Sequence, residues 1–140
     1  METAETIADL YRENTQGAEP SDEQIEQLLA TLACAEEVLF TCGWPDMSEK
    51  WGPLAQLTVT TQRILDQRWA GPGTSAPVHA IAVRDVVSIT DRQRGGERNI
   101  FETRALVVEL ADGSVLTWEH LTNHQVTPAA EAIERAREEL

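Results

Sequence analysis

Two histidines near the end of the chain have the clearest potential for chemistry. His120 and His124 lie four residues apart, and Glu119 precedes the first. This spacing binds zinc when both rings lie on one face of a helix. We expect His120 to end a β-strand, which separates the two rings, and no cysteine or third histidine is close in sequence. The sequence therefore predicts no metal site and no other cofactor.

Nucleophilic catalysis needs a nucleophile beside a base that a third group orients. The possible participants are Cys34, Cys42, His79, His120 and His124. None of them lies in a recognisable motif, and the chain has no glycine-rich nucleotide fingerprint or nucleophile elbow. We interpret His79, which lies within an apolar strand, as a core or edge residue. The protein is therefore not expected to be an enzyme.

The two cysteines indicate a compartment. Two are too few to cross-link a small secreted domain, and the opening "METAETIADL" lacks the basic head and apolar run of a signal peptide. No apolar run has the length of a membrane span. We expect a cytoplasmic protein in which Cys34 and Cys42 are small core residues. A Cys34–Cys42 bridge or a redox switch is the alternative.

A loop rich in glycine and proline has large apolar side chains. The segment "GWPDMSEKWGP" includes Trp44, Met47 and Trp51, and Lys50 is its one cation. Loops lie on the surface, where tryptophan and methionine anchor binding patches. These four residues are our first candidate binding site. The alternative is that the tryptophans fold over the end of the domain as core.

A second loop, "DRQRGGER", contains Arg92, Arg94 and Arg98 around a pair of glycines. Backbone N–H groups in such a loop can bind an anion, although the phosphate-loop consensus is missing. The three arginines are candidates for binding an acidic partner, such as the chain's own N-terminal arm. An exposed hairpin loop without a partner is the alternative.

Composition limits the class of partner. The chain has 140 residues, 41% of them apolar, and a net charge of −13. The length suits one domain with an appendage. The negative net charge argues against nucleic acid and anionic membranes as partners, because proteins bind these mainly through lysine and arginine side chains. Residues 1–50 contain twelve acidic side chains but only two basic ones. We therefore predict an acidic helical arm and linker over residues 1–20, and one domain over 21–140.

Periodicity then gives the elements. Ile7, Leu10 and Tyr11 indicate a short amphipathic helix, which docks on the domain, pairs with another copy or frays. "SDEQIEQLLATLA" predicts a second helix, which Ser21 and Gln24 can cap.

Seven strands follow, over "EVLFTC", "LAQLTVT", "RILDQRW", "VHAIAV", "DVVSITD", "IFETRALVVEL" and "VLTWEH". A last helix begins with Thr127 as its cap and Pro128 in its first position, with Ala130, Ile133, Ala136 or Arg137, and Leu140 along one face.

The spacing of the strands predicts the architecture. Hairpin-length loops with no helices between them indicate an antiparallel meander. Seven such strands curl into a sandwich or a partly open barrel, and the apolar face of the last helix would close the barrel. We therefore expect an α+β, mainly β, fold.

The order of elements resembles that of bacterial pleckstrin-homology-like domains, a group similar to the GRAM domains. The resemblance rests on "AEEVLF", on the hairpin "LTVTTQRIL", on "VHAIAVRDVVSI" and on the final strands and helix. It implies a seven-stranded split barrel closed by the C-terminal helix, in which Trp51 and Trp69 at the ends of the hairpin cap the core or its rim. It also implies binding of lipid, protein or peptide. Phosphoinositide-binding relatives carry basic residues in the first loop, where this chain has Asp46, Glu49 and only Lys50, so we expect no phosphoinositide site.

The expected function is non-catalytic binding of another protein or of a second copy, as a homodimer. The Trp-bearing loop, an exposed sheet edge or the acidic arm would form the contact, and a sheet edge can accept a peptide as an added strand. A small-ligand or lipid binder that uses the mouth of the barrel is the alternative. An internal cavity would distinguish it.

Overall fold

The computed structural model describes residues 3–15, 17, 19–33, 35–45, 54–68, 78–94, 103–121 and 123–140. Its elements in chain order are α1 (Ala4–Asn14), α2 (Asp22–Thr31), β1 (Val38–Pro45), β2 (Leu54–Thr60), β3 (Arg63–Arg68), β4 (Val78–Ala82), a single 3-10 turn (Val83–Asp85), β5 (Val86–Arg94), β6 (Thr103–Leu110), β7 (Val115–Leu121) and α3 (Asn123–Glu138).

The strands of the described residues form two antiparallel sheets. One has four strands in the order β1-β2-β3-β4, and the other has three in the order β5-β6-β7. Within each sheet, strands that are consecutive in the chain pair with one another, as in a meander. The predictions of an α+β class and of antiparallel strands are confirmed.

The main core lies between the two sheets and α3. Its buried side chains come from all seven strands and from α3, and include Phe40, Leu57, Ile64, Leu106, Trp118 and Ile133. Apolar residues alternate with polar ones along β2 because successive side chains of a strand point to opposite faces. Leu57 and Val59 therefore face this core, whereas Gln56 and Thr58 face the other side of the sheet.

That other side carries a second, smaller core under α1 and α2. Ile7 of α1, Leu28 of α2, Val38 of β1 and Leu65 of β3 form it. Of the three alternatives for the first helix, the structure shows docking, because α1 packs against β1 and Tyr11 is buried. Ser21 and Gln24 form the predicted capping box at the start of α2.

The prediction for the last helix was wrong about its start and its end. The helix α3 begins at Asn123, so Pro128 lies inside it. Proline here removes one backbone hydrogen bond, while the added turn buries Gln125 and Val126. The helix ends at Glu138, and Leu140 is exposed rather than on the buried face.

Candidate functional site

The predicted tryptophan site lies largely outside the described residues. Met47, Lys50 and Trp51 are not among them. Trp44 is, but its backbone lies in β1 opposite Ala55 of β2, so its prediction as a loop residue was wrong. The strand is longer than "EVLFTC" because β2 continues to pair with it as far as Pro45.

The predicted arginine loop is also partly strand. Arg92 and Arg94 lie in β5, opposite Ala105 and Thr103 of β6, so the loop prediction was wrong for them. Pairing with β6 extends the strand beyond its apolar part. Arg98 lies outside the described residues.

The histidines and cysteines form no reactive cluster in the described part of the chain. His120 belongs to β7 and His124 to α3, so they do not share a helix. No group of three or more His, Cys, Asp or Glu side chains there could hold a metal ion. Cys42 is a free, buried thiol, and its burial raises its pKa far above the ordinary value. Cys34 lies outside the described residues.

The edges of the sheets differ in a way that the sequence did not reveal. The outer edge of β1 is covered by polar side chains from two helices and the segment after α1. Asn14 Nδ2 donates to the Thr41 carbonyl at 3.5 Å, and Gln125 Nε2 donates to the Gly43 carbonyl at 2.9 Å. The Gly43 N–H donates to Thr15 Oγ1 at 3.1 Å. Another chain therefore cannot pair with this edge without displacing these groups.

The start of β5 is also covered. Arg137 of α3 donates from Nη2 to the carbonyl of Val87 at 3.4 Å. The guanidinium of Arg137 therefore occupies this part of the edge.

The edge of β4 has no such cover within the described residues. The strand pairs only with β3, and His79 and Ala80 are exposed. Exposed edge strands often carry lysine or another charged residue, or a proline, which prevents pairing with a second chain. The five residues of β4, "VHAIA", contain none of these. The edge is therefore chemically suited to accept a strand.

One hydrogen bond shows which backbone groups of β4 point outward. The N–H of Val83 donates to the carbonyl of Gln62 at 2.9 Å, in line with the register that pairs Ile81 with Ile64. Because bonded and non-bonded pairs alternate in an antiparallel ladder, His79 and Ile81 bond to β3. The N–H and C=O groups of Val78, Ala80 and Ala82 then face away from the sheet.

A cavity of about 630 Å³ lies at the end of this edge. It is lined by Thr61, Gln62, Arg63, Ala82, Arg84, Glu139 and Leu140. Ala82 belongs to both the cavity and the outward-facing set of β4. The end of the β4 edge and the cavity therefore adjoin at Ala82.

Arg63 on the cavity wall is held by an ion pair. Its Nε donates to Glu36 Oε2 at 2.9 Å and its Nη2 donates to Glu36 Oε1 and to the Thr31 carbonyl. The Glu36 carboxylate also accepts bonds from the Thr60 hydroxyl and the Ala33 N–H. Burial alone would raise the pKa of Glu36, but the hydrogen bonds from Arg63 and its other donors hold it below the usual value. Glu36 thus neutralises Arg63.

Arg84 is the uncompensated cation of the cavity. It is exposed, and it has no hydrogen-bond or ion-pair partner among the described residues. The one acidic side chain of the wall, Glu139, lies 3.6 Å from Arg135 Nε on α3. The cavity therefore presents one unpaired guanidinium beside a free strand edge.

A smaller groove of about 250 Å³ lies between α1, β1 and α3. Its floor includes Leu10, Leu39 and Phe40, and its rim includes Glu13 and Glu131. Neither this groove nor the larger cavity lies between the two sheets, where side chains such as Trp118 fill the core.

Comparison with known proteins assigns no family, since no family model and no curated protein matches the chain. Among the described residues, no helix has both the length and the apolar composition that crossing a membrane requires.

Proposed function

We propose that this protein is a non-catalytic protein-binding module that receives an extended segment of a partner as an additional strand on β4. The observation that carries the proposal is the uncovered edge of β4, whose outward backbone groups at Val78, Ala80 and Ala82 have no partner among the described residues. Main-chain hydrogen bonds would supply affinity, and neighbouring pockets would supply specificity.

The contrast with the other edges supports this reading. Side chains from α1, α3 and the segment between α1 and α2 cover β1, and Arg137 covers the start of β5. The edge of β1 and the start of β5 are covered, whereas the uncharged edge of β4 is not, which makes the β4 edge a surface suited to strand addition.

We also propose that the fold is a pleckstrin-homology-like split barrel. The resemblance implies a seven-stranded split barrel closed by the C-terminal helix, and seven antiparallel strands in two sheets with α3 packed on the core support this proposal. Such domains often act as binding modules, which agrees with the proposed activity but does not specify the partner.

The experiment is a selection of random ten-residue peptides displayed on phage, followed by hydrogen exchange measured by NMR. We expect the selected peptides to slow exchange of the Ala80 and Ala82 amides, which face the added strand. A chain that selects no peptide, or peptides that leave both amides unprotected, would contradict the proposal. Protection that rises with protein concentration in the absence of peptide would identify a second copy as the occupant instead.

Two proline variants provide a matched control. Ala80→Pro removes an outward N–H, so the sheet should remain folded while peptide binding is lost. His79→Pro removes an N–H that bonds to β3, so it should destabilise the sheet itself. Peptide binding that survives Ala80→Pro would count against strand addition on β4.

A further inference from the structure

We infer that the segment received by β4 is acidic, and that it places a carboxylate against Arg84 in the cavity at the end of the strand. This inference rests on the proposed function, because it specifies the partner of the same edge. The carboxylate would belong to an aspartate or glutamate of the partner, just beyond the residue that pairs with Ala82.

Position along the chain supports this placement. Ala82 is the last outward-facing residue of β4, and Arg84 follows two residues later in the 3-10 turn. An added strand lies about 4.8 Å from its neighbour and advances about 3.3 Å per residue. A side chain one or two residues beyond the position opposite Ala82 therefore enters the cavity that Arg84 lines.

The charges of the wall favour an anion there. Arg63 is neutralised by Glu36, and Glu139 lies beside Arg135, so these two pairs leave Arg84 unbalanced. Guanidinium and carboxylate form paired, charge-assisted hydrogen bonds, which makes arginine suited to recognising an acidic side chain. The net charge of −13 repels an acidic peptide from the chain as a whole, whereas Arg84 attracts its carboxylate locally.

The strand β4 itself adds no aspartate, glutamate, lysine or arginine to the edge. Its exposed side chains are His79 and Ala80, so no acidic side chain on β4 opposes an acidic partner. The edge is therefore expected to accept many extended sequences, with the cavity imposing the one charge preference.

The test repeats the peptide selection on three forms of the full chain: the wild type, Arg84→Gln and Arg84→Glu. Peptides selected by the wild type should carry Asp or Glu at a fixed position. Arg84→Gln should lose this preference, and Arg84→Glu should select Lys or Arg there. Arg12→Gln makes the same charge change on α1, which packs on the opposite edge strand β1, and should leave the preference intact.

Synthetic peptides then give the magnitude. A selected peptide and its Asp→Asn or Glu→Gln version should differ in affinity by about three- to tenfold for the wild type, and hardly at all for Arg84→Gln. Peptides that protect the Ala80 amide but show no acidic preference would overturn this inference and leave the proposed function standing. If no peptide protects that amide, both fail.

Discussion

The hydroxyl of Tyr11 occupies the space in which a side chain at Gly43 would begin. A Cβ atom at position 43 would lie 2.0 Å from Tyr11 Oη and 2.7 Å from Cζ. Tyr11 is only 1% exposed, so its ring has little room to move. The absence of a side chain on β1 thus allows α1 to lie against the sheet.

The first prediction is that Gly43→Ala destabilises the protein by about 1–3 kcal/mol, because the added methyl group overpacks the contact. Urea unfolding measures the change. In a Tyr11→Ala background the same substitution should cost much less, since the ring is gone. An equal cost in both backgrounds would show that the contact is not the cause.

Gln125 supports the second prediction. Its side-chain amide donates to the carbonyls of Asn14 and Gly43 and so joins α3 to α1 and β1. Gln125→Leu keeps the volume but leaves these carbonyls without that donor, which should cost about 1–3 kcal/mol. Hydrogen exchange in α1 should accelerate as well. Gln62→Leu, in an exposed turn, is the control and should change stability by less than about 0.5 kcal/mol.

The Glu36–Arg63 pair gives a pH dependence. The folded-state pKa of Glu36 is lowered, so the unfolded chain takes up its proton first, at about pH 4.3. The stabilisation is therefore fully present above that pH and is lost as the pH falls through the lower folded-state pKa. Urea unfolding of the wild type from pH 7 to pH 3 should show this loss.

The matching substitution is Glu36→Gln. At pH 7 it should destabilise by about 2 kcal/mol, less than for a fully buried pair, because the Arg63 side chain is 28% exposed. The difference from the wild type should shrink towards pH 3. Glu26→Gln, on the exposed face of α2, is the control. A difference for Glu36→Gln that stays constant with pH would contradict the assigned role.

Cys42 yields a prediction about reactivity. Burial raises the pKa of this thiol and keeps reagents away from it. In a Cys34→Ser variant, a disulfide reagent should label Cys42 only when the protein unfolds. The labelling rate should therefore rise with urea in parallel with the unfolded fraction. Rapid labelling of the native protein would show that the thiol is accessible.

Local pattern was enough to predict several elements. The Ser21–Gln24 capping box was confirmed because both partners lie within one helical turn. The alternation of apolar residues predicted the two strands of the β2–β3 hairpin, and the structure pairs them. These features depend on residues close together in the chain.

Tertiary packing decided the rest. The helix α3 starts before Pro128 because Gln125 bonds to Gly43, 82 residues away, which no local signal encodes. Arg63 pairs with Glu36 across 27 residues. The uncovered edge of β4 is likewise a property of the whole fold, since it depends on where α1 and α3 pack. The sequence by itself determined the number of described strands, their order and the Ser21–Gln24 cap, because those follow from periodicity and short-range hydrogen bonds. Only the tertiary structure decided that the β4 edge is uncovered and that Arg84 has no partner among the described residues, because both depend on contacts between distant segments.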